Sequence, residues 1–85
     1  LTVVVLSVTE GADKPEKYPA AFQRAQAVII NKVDALALTD VDLDAVTAAI
    51  RRFNPQAAIF PLSARTGEGV DAWLQWLEGR VKAGR

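Results

Sequence analysis

Asn31-Lys32-Val33-Asp34 follows directly on the apolar run Val28-Ile29-Ile30, and Ser63-Ala64 follows in the same way on Ile59-Phe60-Pro61-Leu62. These residue types suit recognition rather than bond cleavage. A carboxylate such as Asp34 can accept two adjacent N–H donors in a charge-assisted bidentate pair. An amide such as Asn31 can hydrogen-bond a polar edge and tie neighbouring loops together. The methylene stem of Lys32 can lie along a flat face. The backbone N–H of Ala64 is a donor fixed by the chain. Taken singly, each motif also fits an ordinary turn: helix-capping polar residues in the first, a loop entering a helix with Thr66 as cap in the second. The pairing is more specific than either half. Asp34 and Ser63 stand 29 positions apart, with one helical and one strand pattern between them.

The elements that must position these residues are legible from periodicity. Three apolar, β-branched runs, residues 2–8, 27–30 and 57–62, are nearly continuous and do not alternate. Such runs suit strands buried on both faces of a parallel sheet. A helical pattern follows each. The first covers about 18–25, with Tyr18, Phe22 and Ala25 on one side. The second covers about 43–53, where Leu43, Val46, Ile50 and Phe53 form one stripe. Asp40 or Asp42 can cap it, and Asn54-Pro55 stops it. The third covers about 70–81, with Val70, Trp73, Leu74, Leu77 and Val81 inward and Trp76 at the flank. Gly84 marks a frayed end. The order βαβαβα predicts an α/β fold: a parallel sheet with right-handed crossovers. Ligands of such sheets sit beyond the carboxyl ends of the strands. The loops there, residues 9–17, 31–34 and 63–69, therefore share one rim.

Placed on that rim, Asn31-Lys32-Val33-Asp34 matches the guanine-specificity motif Asn-Lys-x-Asp of GTP-binding proteins. Guanine presents N1–H and its 2-amino group side by side, the pair that Asp34 can accept. Adenine offers no such pair and would leave the carboxylate unsatisfied. GTP-binding proteins place a Ser-Ala pair at the equivalent of Ser63-Ala64. There the Ala64 N–H would donate to guanine O6, where adenine carries an amino group.

The segment 9–19 is polar, and Gly11, Pro15 and Pro19 stiffen or turn it. A solvated loop with Pro19 opening a helix is the plain expectation. The functional one is a rim loop whose Asp13, Lys14 or Lys17 meets nucleotide, metal or a partner subunit. Two resemblances fail on inspection. Asp40-Val41-Asp42-Leu43-Asp44 has the alternating acids of a calcium loop but Ala45 at the glycine position and Arg51 at that of the bidentate Glu. Acids at a helix N-terminus account for it. Gly67-Glu68-Gly69 lacks the Gly-Lys-Ser/Thr of a phosphate loop.

Composition bounds the remaining chemistry. The chain has 85 residues, 51% of them hydrophobic, enough for one small packed unit. Ten Lys and Arg balance ten Asp and Glu, so no basic footprint for nucleic acid is present. There is no Cys and no His. Thiolate and imidazole metal sites and the usual general base are thereby excluded within these residues, while carboxylate sites remain open. The apolar run at Leu1–Leu6 is too short to span a membrane and lacks the basic flank of a signal peptide. A start at Leu1 rather than Met is expected of a segment cut from a longer protein.

Together these residues resemble the hydrogenase nickel-incorporation GTPases, the HypB family of hydrogenase maturation factors. The most telling stretch is Leu6-Ser7-Val8-Thr9-Glu10-Gly11-Ala12-Asp13-Lys14-Pro15-Glu16-Lys17-Tyr18-Pro19. Asn54-Pro55, Ser63 through Gly69 and Asp71-Ala72-Trp73 add to it, and Ala12 stands where an acid is frequent. The resemblance implies a partial three-layer P-loop NTPase-like fold, with residues 1–85 as the C-terminal half of a GTPase domain. It implies GTP or GDP bound through Asn31, Lys32, Asp34, Ser63 and Ala64, with no catalytic residue and no metal ligand in this segment. Only the base-recognition roles carry over residue by residue; Asp13, Lys14 and Lys17 remain, from the loop reading, candidates for a rim or dimer contact. For the parent it implies magnesium, nickel, slow GTP hydrolysis, a homodimer, and hydrogenase maturation factors and the hydrogenase large subunit as partners in the cytoplasm. The phosphate loop, switch regions and nickel-binding Cys and His would lie upstream. No nucleic acid or membrane partner is expected. The alternatives are a urease-accessory or other metal- or cobalamin-chaperone GTPase, or a non-enzymatic interaction or dimerisation module with a GTPase-like half-fold.

Overall fold

The computed structural model of the chain describes residues 1–10, 13–38 and 41–83. Its three strands, β1 (Val3–Ser7), β2 (Ala27–Asn31) and β3 (Ala58–Pro61), form one parallel sheet in the order β1-β2-β3. Val3 pairs with Ala27 and Ser7 with Asn31, while Ala27 pairs with Ala58 and Ile30 with Pro61. The helices are α1 (Lys14–Lys17), α2 (Pro19–Arg24), α3 (Leu43–Phe53) and α4 (Val70–Ala83), with short 3-10 turns at Val8–Glu10 and Val33–Leu38. Among the described residues no helix is long and apolar enough to cross a membrane.

Alternation along the strands separates two layers of side chains. Leu6, Val28 and Ile30 face α2 and α3, where they pack with Val8, Phe22, Ala25, Val46 and Ile50 in one buried cluster. Asp42 caps α3, its Oδ1 accepting from Asp44 N–H at 2.9 Å. The opposite face carries Phe60, in register with Ile29 and, through it, Val5. Phe60 meets Trp73 edge-on at 5.5 Å and Trp76 at 5.6 Å, and the two indoles stack at 5.7 Å and 22°. Such pairs contribute about 0.5–1.5 kcal/mol each beyond burial. They fasten α4 over β3, while Val5 on the far strand stays 59% exposed.

Four sequence expectations change. The segment before Pro19 is not a plain solvated loop: Lys14–Lys17 is helical and Pro15 is buried. Tyr18 does not share the buried side of α2 with Phe22; it is exposed, with Lys14 Nζ 5.2 Å from its ring centre. On α4 the packed side is centred on Trp73 and Trp76, leaving Leu74 and Val81 about half exposed. The partner ring of Phe60, not the apolar stripe alone, sets that rotation. Thr66 does not cap α4, which begins four residues later; its Oγ1 accepts from Glu68 N–H within the loop. Gly11, Ala12, Asp40 and Gly84 lie outside the described residues.

Asn54 does more than stop α3. Its Nδ2 donates to the carbonyls of Phe22 (3.0 Å), Gln23 (3.3 Å) and Ala25 (2.7 Å), and its Oδ1 accepts from Gln56 N–H (3.1 Å). One amide thus satisfies the orphan carbonyls at the end of α2 and holds the two crossovers together. Asn54→Ala is expected to cost about 1–3 kcal/mol in unfolding free energy. Asn54→Asp is expected to cost more, because a carboxylate oxygen would face three carbonyl oxygens. Urea melts of the pair check the order.

Candidate functional site

The carboxyl ends of β2 and β3 deliver the two motifs to one place. Asn31, Lys32, Asp34, Ala35, Ser63, Ala64 and Arg65 line an open cleft of about 400 Å³. Residues 31–35 form one wall and residues 63–65 the other. All five residues singled out for a base, Asn31, Lys32, Asp34, Ser63 and Ala64, are therefore brought together.

Ser63 is the knot of the arrangement. It is wholly buried, and its Oγ donates to Asp34 Oδ1 at 2.7 Å. The same oxygen accepts Thr66 N–H at 3.2 Å. Ser63 N–H donates to Glu68 O at 2.9 Å, and Ser63 O accepts Gly67 N–H at 2.8 Å. The Asp34 carboxylate is exposed on its other side. One oxygen is thus held by the protein, and the group remains free to accept from a ligand. The sequence marks Ser63 by its Ser-Ala pair; its grip on Asp34 is a tertiary contact that no local pattern announces.

Asn31 links the walls a second time. Its Oδ1 accepts Lys32 N–H at 2.8 Å and Ala64 N–H at 3.2 Å. The expected tie between loops is present. The Ala64 N–H, expected to be reserved for a ligand carbonyl, points to Asn31 instead; at 3.2 Å the bond is long enough to be shared with a second acceptor. Among the described residues Asn31 Nδ2 has no protein partner, so it can meet a ligand edge. Lys32 adopts φ +66°, the left-handed region that few non-glycine residues occupy. Strain of this kind clusters at functional sites. Val33 N–H donates to Leu62 O at 3.2 Å, and this bond seats the residue after Lys32 against β3.

Gly67-Glu68-Gly69 serves the walls rather than a phosphate. Gly67 has φ +85° and Gly69 φ +78°. At Gly69 a Cβ would stand 2.3 Å from Pro61 O and 3.1 Å from Leu62 Cβ. The loop folds back on the end of β3 because that position carries no side chain.

Asp13, Lys14 and Lys17 gather with Tyr18 around a separate hollow of about 300 Å³. No residue of the base cleft lines it. Among the described residues no group of three or more His, Cys, Asp or Glu could hold a metal ion.

Ser63→Ala should leave Asp34 untethered and Thr66 N–H unpaired. A loss of one charge-assisted bond predicts a ligand affinity about tenfold weaker. Ligand titration of the full-length variant, beside Ser63→Thr, checks it.

Comparison with known proteins gives the family and the fold. The family described as CobW/HypB/UreG, nucleotide-binding domain, matches residues 1–61. The hydrogenase maturation factor HypB of Escherichia coli K12 is 50% identical over 76 residues, covering 89% of this chain and 26% of that protein. The HypB of Azotobacter vinelandii is 49% identical over 76 residues, covering 89% and 25%. The chain thus spans about a quarter of the length of these curated relatives. Among solved structures, HypB from Archaeoglobus fulgidus superposes with a TM-score of 0.83 at 37% identity, covering 89% of this chain and 41% of that one. HypB from Helicobacter pylori in complex with nickel gives 0.87 at 32%, covering 96% and 38%. The sheet, its crossovers and the helices on both faces are accordingly part of a P-loop NTPase-like α/β fold. The chain belongs to the CobW/HypB/UreG family of nucleotide-binding domains, and within it is similar to the HypB hydrogenase maturation factors.

Proposed function

We propose that residues 1–85 are the guanine-reading, C-terminal half of a GTPase domain in a metallochaperone that assists nickel insertion during [NiFe] hydrogenase maturation. The observation that supports it most is the Asp34 carboxylate, held by buried Ser63 and open to the cleft beside Asn31. Asp34 accepts guanine N1–H and the 2-amino group, Asn31 Nδ2 donates to the base edge, Ala64 N–H reaches O6, and the Lys32 stem covers the ring. These residues select the nucleotide; they do not break the phosphoanhydride bond. Hydrolysis in the parent is phosphoryl transfer to water, achieved by positioning and electrostatics and used as a conformational switch. Phosphate, magnesium and nickel groups belong to residues outside this segment. We assign Asp13, Lys14 and Lys17, which line a hollow of their own, to a rim or homodimer contact. The cytoplasm, where hydrogenase subunits are matured, is the proposed location.

The base alone offers little affinity. Guanine has about eleven non-hydrogen atoms, and at ~0.3 kcal/mol each the base contributes roughly 3 kcal/mol, weaker than ~1 mM. The isolated segment is therefore expected to bind GTP poorly and to hydrolyse none. The decisive experiment uses the full-length protein. Fluorescent GDP should be displaced by GTP and GDP and not by ATP, and a strain deleted for the protein should lose nickel-dependent hydrogenase maturation. Displacement by ATP would overturn the base assignment. Normal hydrogenase with a failing urease or cobalamin enzyme would move the client to that alternative.

A further inference from the structure

Arg65 has no part in the contacts assigned above, yet it lines the same cleft. It occupies the middle of the turn after β3, and the turn is fixed around it. Ser63 O accepts Gly67 N–H at 2.8 Å and Ser63 Oγ accepts Thr66 N–H at 3.2 Å. The backbone at Arg65 is thus moored to a wholly buried residue, while its side chain is exposed. Of the other described arginines, Arg51, Arg52 and Arg80 are engaged and Arg24, which lies away from the cleft, is not. Arg51 Nη1 donates to the carbonyls of Pro55 and Ala57. Arg52 pairs with Glu16 and lies over Phe53, and Arg80 lies over Trp76. Among the described residues Arg65 makes no hydrogen bond, ion pair or ring contact.

The cleft has two walls, and each carries one long cationic side chain: Lys32 on the first, Arg65 on the second. A planar base held by its edge at Asp34 and Asn31 leaves both of its faces uncovered. A guanidinium is flat, delocalised and weakly hydrated, and it stacks on π faces better than an ammonium does. We infer that the Arg65 guanidinium stacks on the bound base, opposing the Lys32 stem across the cleft. This rests on the guanine reading of the site. Stacking recognises a π face and is indifferent both to the base's edge and to the phosphates.

The test follows from that indifference. Arg65→Ala and Arg65→Lys are made in the full-length protein and titrated with GDP, inosine diphosphate and guanosine. Arg65→Ala is expected to weaken all three by a common factor, about fivefold. Arg65→Lys should recover only part of it, and the GDP-to-inosine-diphosphate ratio should not move. Since Arg65 holds nothing in the fold, the ligand-free melting temperature should not move either. Weakened GDP with unchanged guanosine would make Arg65 a phosphate partner and overturn the inference. So would unchanged binding of all three. Asp34→Asn is titrated alongside. If it keeps its preference for GDP over xanthosine diphosphate, the base site itself is misplaced; if it loses that preference while Arg65→Ala binds normally, the stacking alone is wrong.

Discussion

Asp34→Asn in the full-length protein is expected to weaken GTP by about a hundredfold and to make xanthosine triphosphate the better ligand. The loss follows from replacing a charged acceptor of two N–H bonds, an interaction of about 3 kcal/mol. The direction of the gain follows from Ser63. Its hydroxyl proton points at Asp34 Oδ1, because its own oxygen is already taken by Thr66 N–H. An amide at position 34 keeps its carbonyl toward that proton and turns its NH2 into the cleft. Guanine presents an amino group there and is repelled. Xanthine presents a carbonyl and accepts. Because the Ser63 bond survives, the fold should keep its stability, so competition titrations with the two triphosphates read the base alone. An unchanged preference would remove Asp34 from the site.

The largest effect on stability is expected at Gly69. A methyl group there would sit 2.3 Å from Pro61 O, a backbone atom inside a paired strand, and would have to be accepted at φ +78°. The left-handed conformation alone costs about 1–2 kcal/mol for an L-residue. The clash requires the loop to lift off β3, which also draws on the Ser63 N–H bond to Glu68 O. Gly69→Ala should therefore lose at least about 3 kcal/mol. Gly67 is the control: its φ is +85°, but a Cβ there meets nothing within 4 Å. Gly67→Ala should lose only the conformational cost of about 1–2 kcal/mol. Equal losses in thermal or urea unfolding would show that the close approach does not matter.

The parts of the fold legible in the sequence are those set by local pattern. The three apolar runs became the three strands, although the expected cover on both faces holds best for β2: on β1 the face that carries Val5 stays open, with Val5 59% exposed. Leu43, Val46, Ile50 and Phe53 fixed α3 because one stripe faces one core. Lys14-Pro15-Glu16-Lys17 carries no such stripe, so α1 was not visible; its single buried residue, Pro15, also opens the helix. On α4 five apolar residues span a wide arc, and only Phe60, brought from β3, decides which part of it packs. The base-site residues were legible as types at a spacing. The bonds that join them were not, since Ser63 to Asp34 and Ala64 to Asn31 cross from one strand end to another.

The parallel sheet also sets an order of events for the folding chain. Val3 pairs with Ala27 and Ala27 with Ala58, so no ladder bond joins residues near in sequence. Each pairing waits for a helical crossover to close, and the entropy of closure is spent before any strand contact returns it. Helix α3 needs only neighbours along the chain, and it ends at Asn54, whose amide reaches back to the end of α2. That reach shortens the search for the second crossover: once Asn54 has docked, β3 begins only four residues further on, already beside β2.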